Sequence, residues 1–127
     1  MLGGYLGYNT KSTTTEATYT ATKTSAFWVD LAGTGKSVVP GIFFGTTSNN
    51  GAGTAGADAN YELLGINNVK NVTRVAPRIE FISGKFRFGA ELEFNTVAWG
   101  TYNNDGTVSN TSNTSSTMFI FMSKFSF

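Results

Sequence analysis

Residues 72–102 alternate with a two-residue period on either side of Ser83-Gly84, and that alternation restricts this part of the chain to antiparallel sheet. A two-residue turn centred there sets Phe81 against Phe86, Ile79 against Phe88, Pro77 against Ala90 and Val75 against Leu92. The intervening positions set Glu80 against Arg87, Arg78 against Gly89, Ala76 against Glu91 and Arg74 against Glu93. Helical spacing would scatter both sets around a cylinder, whereas a period of 2 keeps each on one face. Apolar pairs opposite apolar pairs, and acids opposite arginines, are the contacts that fix strand register. The segment is a long hairpin with one oily and one charged side.

The same signature recurs towards the C-terminus. Phe119, Phe121, Phe125 and Phe127 share a face with Thr117 and Ser123, and Met118, Ile120, Met122, Lys124 and Ser126 take the other. A second hairpin is expected about Thr34-Gly35, setting Leu31 against Val38, Val29 against Pro40, Phe27 against Ile42 and Ser25 against Phe44. Proline in a paired strand interrupts a ladder, so breaks are expected near Pro40 and Pro77. The spacing predicts about six strands, at 2–9, 18–32, 36–47, 68–82, 85–102 and 117–127, with residues 60–67 as an extension of the fourth. Their connections alternate between tight turns and long polar loops at 10–17, 47–60 and 103–116. This is a single all-β segment, 1–127, of three hairpins.

Composition narrows the chemistry. Cys and His are both absent, which excludes disulfides, Cys/His metal sites and the commonest general base. Charged residues make up 13% with a net charge of +1, and the signs are interleaved, so nothing argues for a nucleic-acid partner. There is no apolar run long enough for a membrane-spanning helix. No basic stretch followed by an apolar one opens the chain, so a removed leader or an internal start is expected.

Amphipathic strands, tight turns alternating with long loops, and the segment Met118-Phe119-Ile120-Phe121-Met122-Ser123-Lys124-Phe125-Ser126-Phe127 together resemble a bacterial outer-membrane β-barrel of the porin-like kind. The resemblance implies an antiparallel transmembrane barrel in the outer membrane of a Gram-negative bacterium, and passive diffusion of small solutes without catalysis or cofactor. It implies that Phe81, Phe86, Phe88, Leu92, Phe94, Phe119 and Phe121 face lipid. It implies that Arg74, Arg78, Glu80, Arg87, Glu91 and Glu93 line a pore. Phe125 and Phe127 would form the terminal signal read by the barrel-insertion machinery. Hydrocarbon cannot hydrogen-bond an open sheet edge, and single-chain barrels have at least ~8 strands. About six strands are therefore part of a larger or shared barrel, the remainder coming from the same protein or from other copies.

Other motifs resolve to plainer readings. Gly33-Thr34-Gly35-Lys36-Ser37 ends like a phosphate-binding loop, but Asp30 stands where that motif needs glycine and Val38-Val39-Pro40 cannot open a helix. It reads as a hairpin turn. Asp58, Asn60 and Glu62 alternate as oxygen donors without the rest of a calcium loop. Glu93 lies opposite Arg74, and Glu91 shares the face with arginines, unlike the separated acid and base of a glycosidase. Trp28 and Trp99 fall on the polar faces, where they would pack against an inserted loop or stack on sugar. Asn71-Val72-Thr73, Asn110-Thr111-Ser112 and Asn113-Thr114-Ser115 match a glycosylation triplet that carries no weight in an outer membrane. The rival architecture is a soluble β-sandwich or fibre module binding carbohydrate or protein, with the phenylalanine stripe buried between two sheets.

Overall fold

The computed structural model describes residues 6–10, 17–51, 61–64, 68–103 and 106–126, and every regular element among them is a strand. Eight strands form two sheets. The first has the order β2-β1-β5, with β1 at Leu6–Thr10, β2 at Ala17–Ala21 and β5 at Tyr61–Leu64. Both pairings are antiparallel, Leu6 lying opposite Ala21 on one side and Leu64 on the other. The second sheet is an open antiparallel meander, β3-β4-β6-β7-β8. Its strands are β3 at Thr24–Ala32, β4 at Val38–Asn49, β6 at Val69–Ser83, β7 at Phe86–Tyr102 and β8 at Val108–Phe125.

The strand plan therefore departs from the six expected. The 18–32 strand is broken at Thr22-Lys23 into β2 and β3, which belong to different sheets. Residues 61–64 do not lengthen the fourth strand; they form β5, which pairs with β1. The 103–116 loop shrinks to 103–107, because β8 starts at Val108. Its Thr and Ser residues look like loop by polarity, yet threonine is β-branched and suits an extended backbone. In the 10–17 loop, Thr10 and Ala17 are themselves paired strand ends, and 11–16 lie outside the described residues. In the 47–60 loop, β4 continues to Asn49, and 52–60 lie outside the described residues.

Both tight turns also sit later than expected. The β6–β7 turn residues are Gly84 and Lys85, with Gly84 at φ 59°. The left-handed conformation belongs at the first of two hairpin-turn residues, and glycine adopts it without a Cβ penalty. In the β3–β4 hairpin the loop is 33–37, and the Gly33 N–H donates to Pro40 O at 2.7 Å. Moving the centre of a hairpin by whole residues changes facing partners by an even number, so each side chain stays on its expected face. β4 and β6 run without interruption through Pro40 and Pro77. A proline removes one donor and leaves its carbonyl available, as the Gly33–Pro40 bond illustrates.

Contacts divide the chain into two compact units. One comprises 1–26, 47–72 and 97–114. Val69, Ala98 and Val108 are buried in it, and its turns are tied by polar groups. The Lys23 N–H donates to Gly51 O and the Asn50 N–H to Lys23 O, at 2.7 and 2.9 Å. Asn49 Nδ2 reaches Gly106 O at 3.2 Å, and Asn103 bonds Thr107 and Ser109 through its side chain. The other unit comprises 27–46, 73–96 and 115–127, and it holds the amphipathic part of the five-stranded sheet.

Candidate functional site

The second unit is a sheet with two chemically opposed faces, and its cross-strand contacts agree with the alternation. On one face the Phe86 and Phe125 rings lie 4.7 Å apart and the Phe27 and Phe44 rings 6.5 Å apart. On the other face Gly89 meets Met122, whose Cε would lie 3.3 Å from a Cβ at that glycine. On the phenylalanine face Thr96 Oγ1 and Ser115 Oγ are 3.2 Å apart, and Thr46 Oγ1 and Thr73 Oγ1 3.3 Å apart.

The oily face is uncovered. Phe81, Phe86, Phe88, Leu92, Phe94, Phe119 and Phe121 are all exposed, Phe119 and Phe121 by 68% and 66%. β3 and β4 extend the face with Phe27, Val29, Leu31, Val38, Ile42 and Phe44, all exposed as well. Among the described residues no large side chain is fully buried, and the buried hydrophobic ones are Val69, Ala76, Ala98 and Val108. A continuous exposed apolar face marks a surface that meets something apolar. Phe125 is exposed beside Phe86, and Phe127 lies outside the described residues.

The charged face is a chain of ion pairs. Arg74 Nη2 donates to Glu91 Oε1 at 2.9 Å and contacts Glu93 Oε2 at 2.7 Å. Glu93 is buried, and its Oε1 also accepts from Asn95 Nδ2 at 2.8 Å. The Arg74 guanidinium carbon stands 5.4 Å from the centre of the Phe43 ring, a cation–π arrangement. Arg87 Nη1 and Glu80 Oε2 are 3.4 Å apart. Arg78 does not find its partner on β7. It reaches Asp30 on β3, Nη2 to Oδ1 at 2.7 Å, by crossing over Gly41, where a Cβ would stand 2.9 Å from Nε. Glycine at 41 is thus what opens the path between the two.

All six charged residues singled out from the sequence lie in these pairs. Asp30, Asn95 and Phe43 belong with them and were missed as site residues. Their even or odd positions on β3, β7 and β4 assign them to this face, but the register that joins them is a long-range property. Within this unit Arg74, Arg78 and Arg87 face Asp30, Glu80, Glu91 and Glu93, and Lys124 lies on the same side of β8, so four positive charges meet four negative ones; Lys70, of the same parity on β6, belongs to the other unit. Along β8 the face turns apolar, and a cleft of about 180 Å³ is bordered by Arg78, Glu80, Gly89, Glu91, Ile120 and Met122. Trp28 is exposed on this face beside Gly45, which also meets the Phe43 ring; Trp99 is exposed in the other unit.

The remaining motifs carry no site. Residues 33–37 close the β3–β4 hairpin, with Ser37 O accepting the Ile82 N–H at 2.8 Å. Asp58 and Asn60 lie outside the described residues, as does the side chain of Glu62. Among the described residues no group of three or more acidic side chains is placed to hold a metal. No helix among them is long and apolar enough to cross a membrane, which says nothing of strands. No family model, no curated protein and no solved structure matches this chain.

Proposed function

We propose that the five-stranded sheet is part of an outer-membrane β-barrel of a Gram-negative bacterium, and that the barrel is a porin-like pore for passive diffusion of small solutes. One observation supports this above all: a sheet with a continuous exposed phenylalanine-rich face, an ion-paired opposite face and, among the described residues, no fully buried large side chain. Hydrocarbon is the surrounding that suits the first face and a hydrated lumen the second. In this reading Phe81, Phe86, Phe88, Leu92, Phe94, Phe119 and Phe121 contact lipid tails. Phe125 belongs to the same aromatic face, beside Phe86. Arg74, Arg78, Glu80, Arg87, Glu91 and Glu93, with Asp30, line the lumen. Strands of 15 to 18 residues in β6, β7 and β8 exceed the ~9–11 needed for a crossing.

Mechanism in such a pore is steric and electrostatic. Balanced, paired charges give a polar wall with little net field, so passage depends on solute size more than on the sign of its charge. No group acts as acid, base or nucleophile.

The test is fractionation followed by flux. The protein as cells make it should stay with membranes through a high-salt wash, dissolve in detergent, and give vesicles a leak that falls with solute radius. Recovery in the aqueous fraction without detergent would overturn the proposal and favour a protein partner over the oily face.

A further inference from the structure

On the charged face three guanidiniums serve four carboxylates. One nitrogen, Arg74 Nη2, contacts both Glu91 Oε1 at 2.9 Å and Glu93 Oε2 at 2.7 Å, while Arg78 is held by Asp30 and Arg87 by Glu80. The Arg87–Glu80 pair is the loosest of these, at 3.4 Å. Lys124 lies on the same side of β8 but takes part in none of them. Glu93 uses its other oxygen to accept from Asn95. Among the described residues, Glu91 Oε2 and Glu80 Oε1 accept no hydrogen bond.

Both of these acids border the cleft of about 180 Å³. Gly89 is its floor, and the space exists because that position has no side chain. A Cβ there would stand 3.3 Å from Met122 Cε and 3.7 Å from Glu80 Cγ. The two walls differ in chemistry. Arg78, Glu80 and Glu91 form one, and Ile120 and Met122, both exposed, form the other. Arg78 does not answer the acids. Its Nη2 crosses Gly41 to Asp30, on the side of β6 away from β7. The cleft therefore offers unengaged carboxylate oxygens next to an aliphatic and thioether surface.

That combination selects among solutes. An anion would meet two carboxylates. A neutral solute would gain from the apolar wall alone, and a hydrated inorganic cation from the acids alone. A primary ammonium brings three donors, and its bonds to carboxylate are charge-assisted. A short alkyl chain behind it covers Ile120 and Met122, and the flexible methionine adapts to its shape. We propose that the cleft over Gly89 binds small organic cations, alkylammonium compounds in particular, with the ammonium at Glu80 and Glu91 and the hydrocarbon on Ile120 and Met122. This deepens the pore reading and rests on it, since the cleft then faces the lumen. The wall as a whole stays balanced, so the preference is local and acts by retention.

Isotope labelling of the methionine methyl groups for NMR gives the readout. Met122 borders the cleft, and Met118 shares its face without bordering it. The full chain in a non-ionic detergent is titrated with butylammonium, 1-butanol and pentanoate, which carry the same alkyl chain on different heads. Butylammonium should shift the Met122 signal saturably, at a concentration at least tenfold below that required of the other two, and leave Met118 in place. Glu91→Gln removes the charge and keeps an oxygen for Arg74; it should weaken the response at least fivefold. Gly89→Val fills the floor against two flexible side chains and should abolish the response. An equal response to the three heads, a stronger one to pentanoate, Met118 and Met122 shifting together, or an undiminished response in Glu91→Gln overturns the proposal. No Met122 shift in protein whose vesicles still leak by solute size defeats the cleft and leaves the pore. A saturable, ammonium-selective shift in a chain that fractionates with water defeats the pore and leaves the cleft.

Discussion

Phe121 and Met122 are neighbours on opposite faces of β8, both exposed, by 66% and 43%. Replacing each with lysine separates lipid from water as the surrounding of the oily face. Phe121 lies at the middle of the alternating run 117–125. If that run crosses hydrocarbon, Phe121→Lys puts a charge near the bilayer midplane, at a cost of about 2–4 kcal/mol. That is a shift of roughly 30- to 900-fold in the folding equilibrium. Met122→Lys adds a cation to a polar wall that already holds acids, with an expected change within about 0.5 kcal/mol. In water the ordering would vanish, because a lysine at a two-thirds exposed surface site also changes stability by about 0.5 kcal/mol or less. The assay is urea-driven unfolding from phosphatidylcholine vesicles, followed by tryptophan fluorescence, for the two variants side by side. Equal effects, or a larger loss for Met122→Lys, would refute the assignment of faces to lipid and lumen.

Further outcomes follow from the polar face and its turn. Arg74→Ala strands the Glu93 carboxylate, whose side chain is 9% exposed against 42% for Arg74. Breaking a buried pair costs ~3–5 kcal/mol, and the exposure of the arginine lowers this to about 1–3. Denaturant titration should register that loss, with partial recovery when Glu93→Gln is added. Gly41→Val drives a methyl into the Arg78 side chain and should cost about 1–3 kcal/mol; the cost should fall in an Arg78→Ala background, and an unchanged cost would mean the arginine does not use that path. Gly84 has nothing within 4 Å of its Cβ position, so Gly84→Ala tests backbone conformation alone. At φ 59° the expected loss is about 1–2 kcal/mol, with Gly84→Asn losing less, read from unfolding midpoints.

The assignment of residues to faces was legible in the order of amino acids. Phe88 and Glu91 are on opposite sides for a reason that needs no tertiary information, since successive Cβ atoms of an extended chain point opposite ways. The pairs Glu80–Arg87 and Arg74–Glu93 were legible too, because a hairpin brings near-neighbours in sequence together. The start of β8 was not: residues 108–116 are as polar as a loop, and only pairing with β7 reveals them as strand. Nor was the Arg78–Asp30 bridge, which requires β3, β4 and β6 to lie side by side with a glycine between the two charges.

Alternation is a local property, and so the chain alone determined that this is β structure with one oily and one charged side. Turn centres, the division of 18–32 between two sheets, the order β3-β4-β6-β7-β8 and the common direction of its two edges came only with the fold. Each depends on which distant strands close against one another. That choice is set by loop entropy and register summed over the whole chain, quantities that no short window of sequence contains.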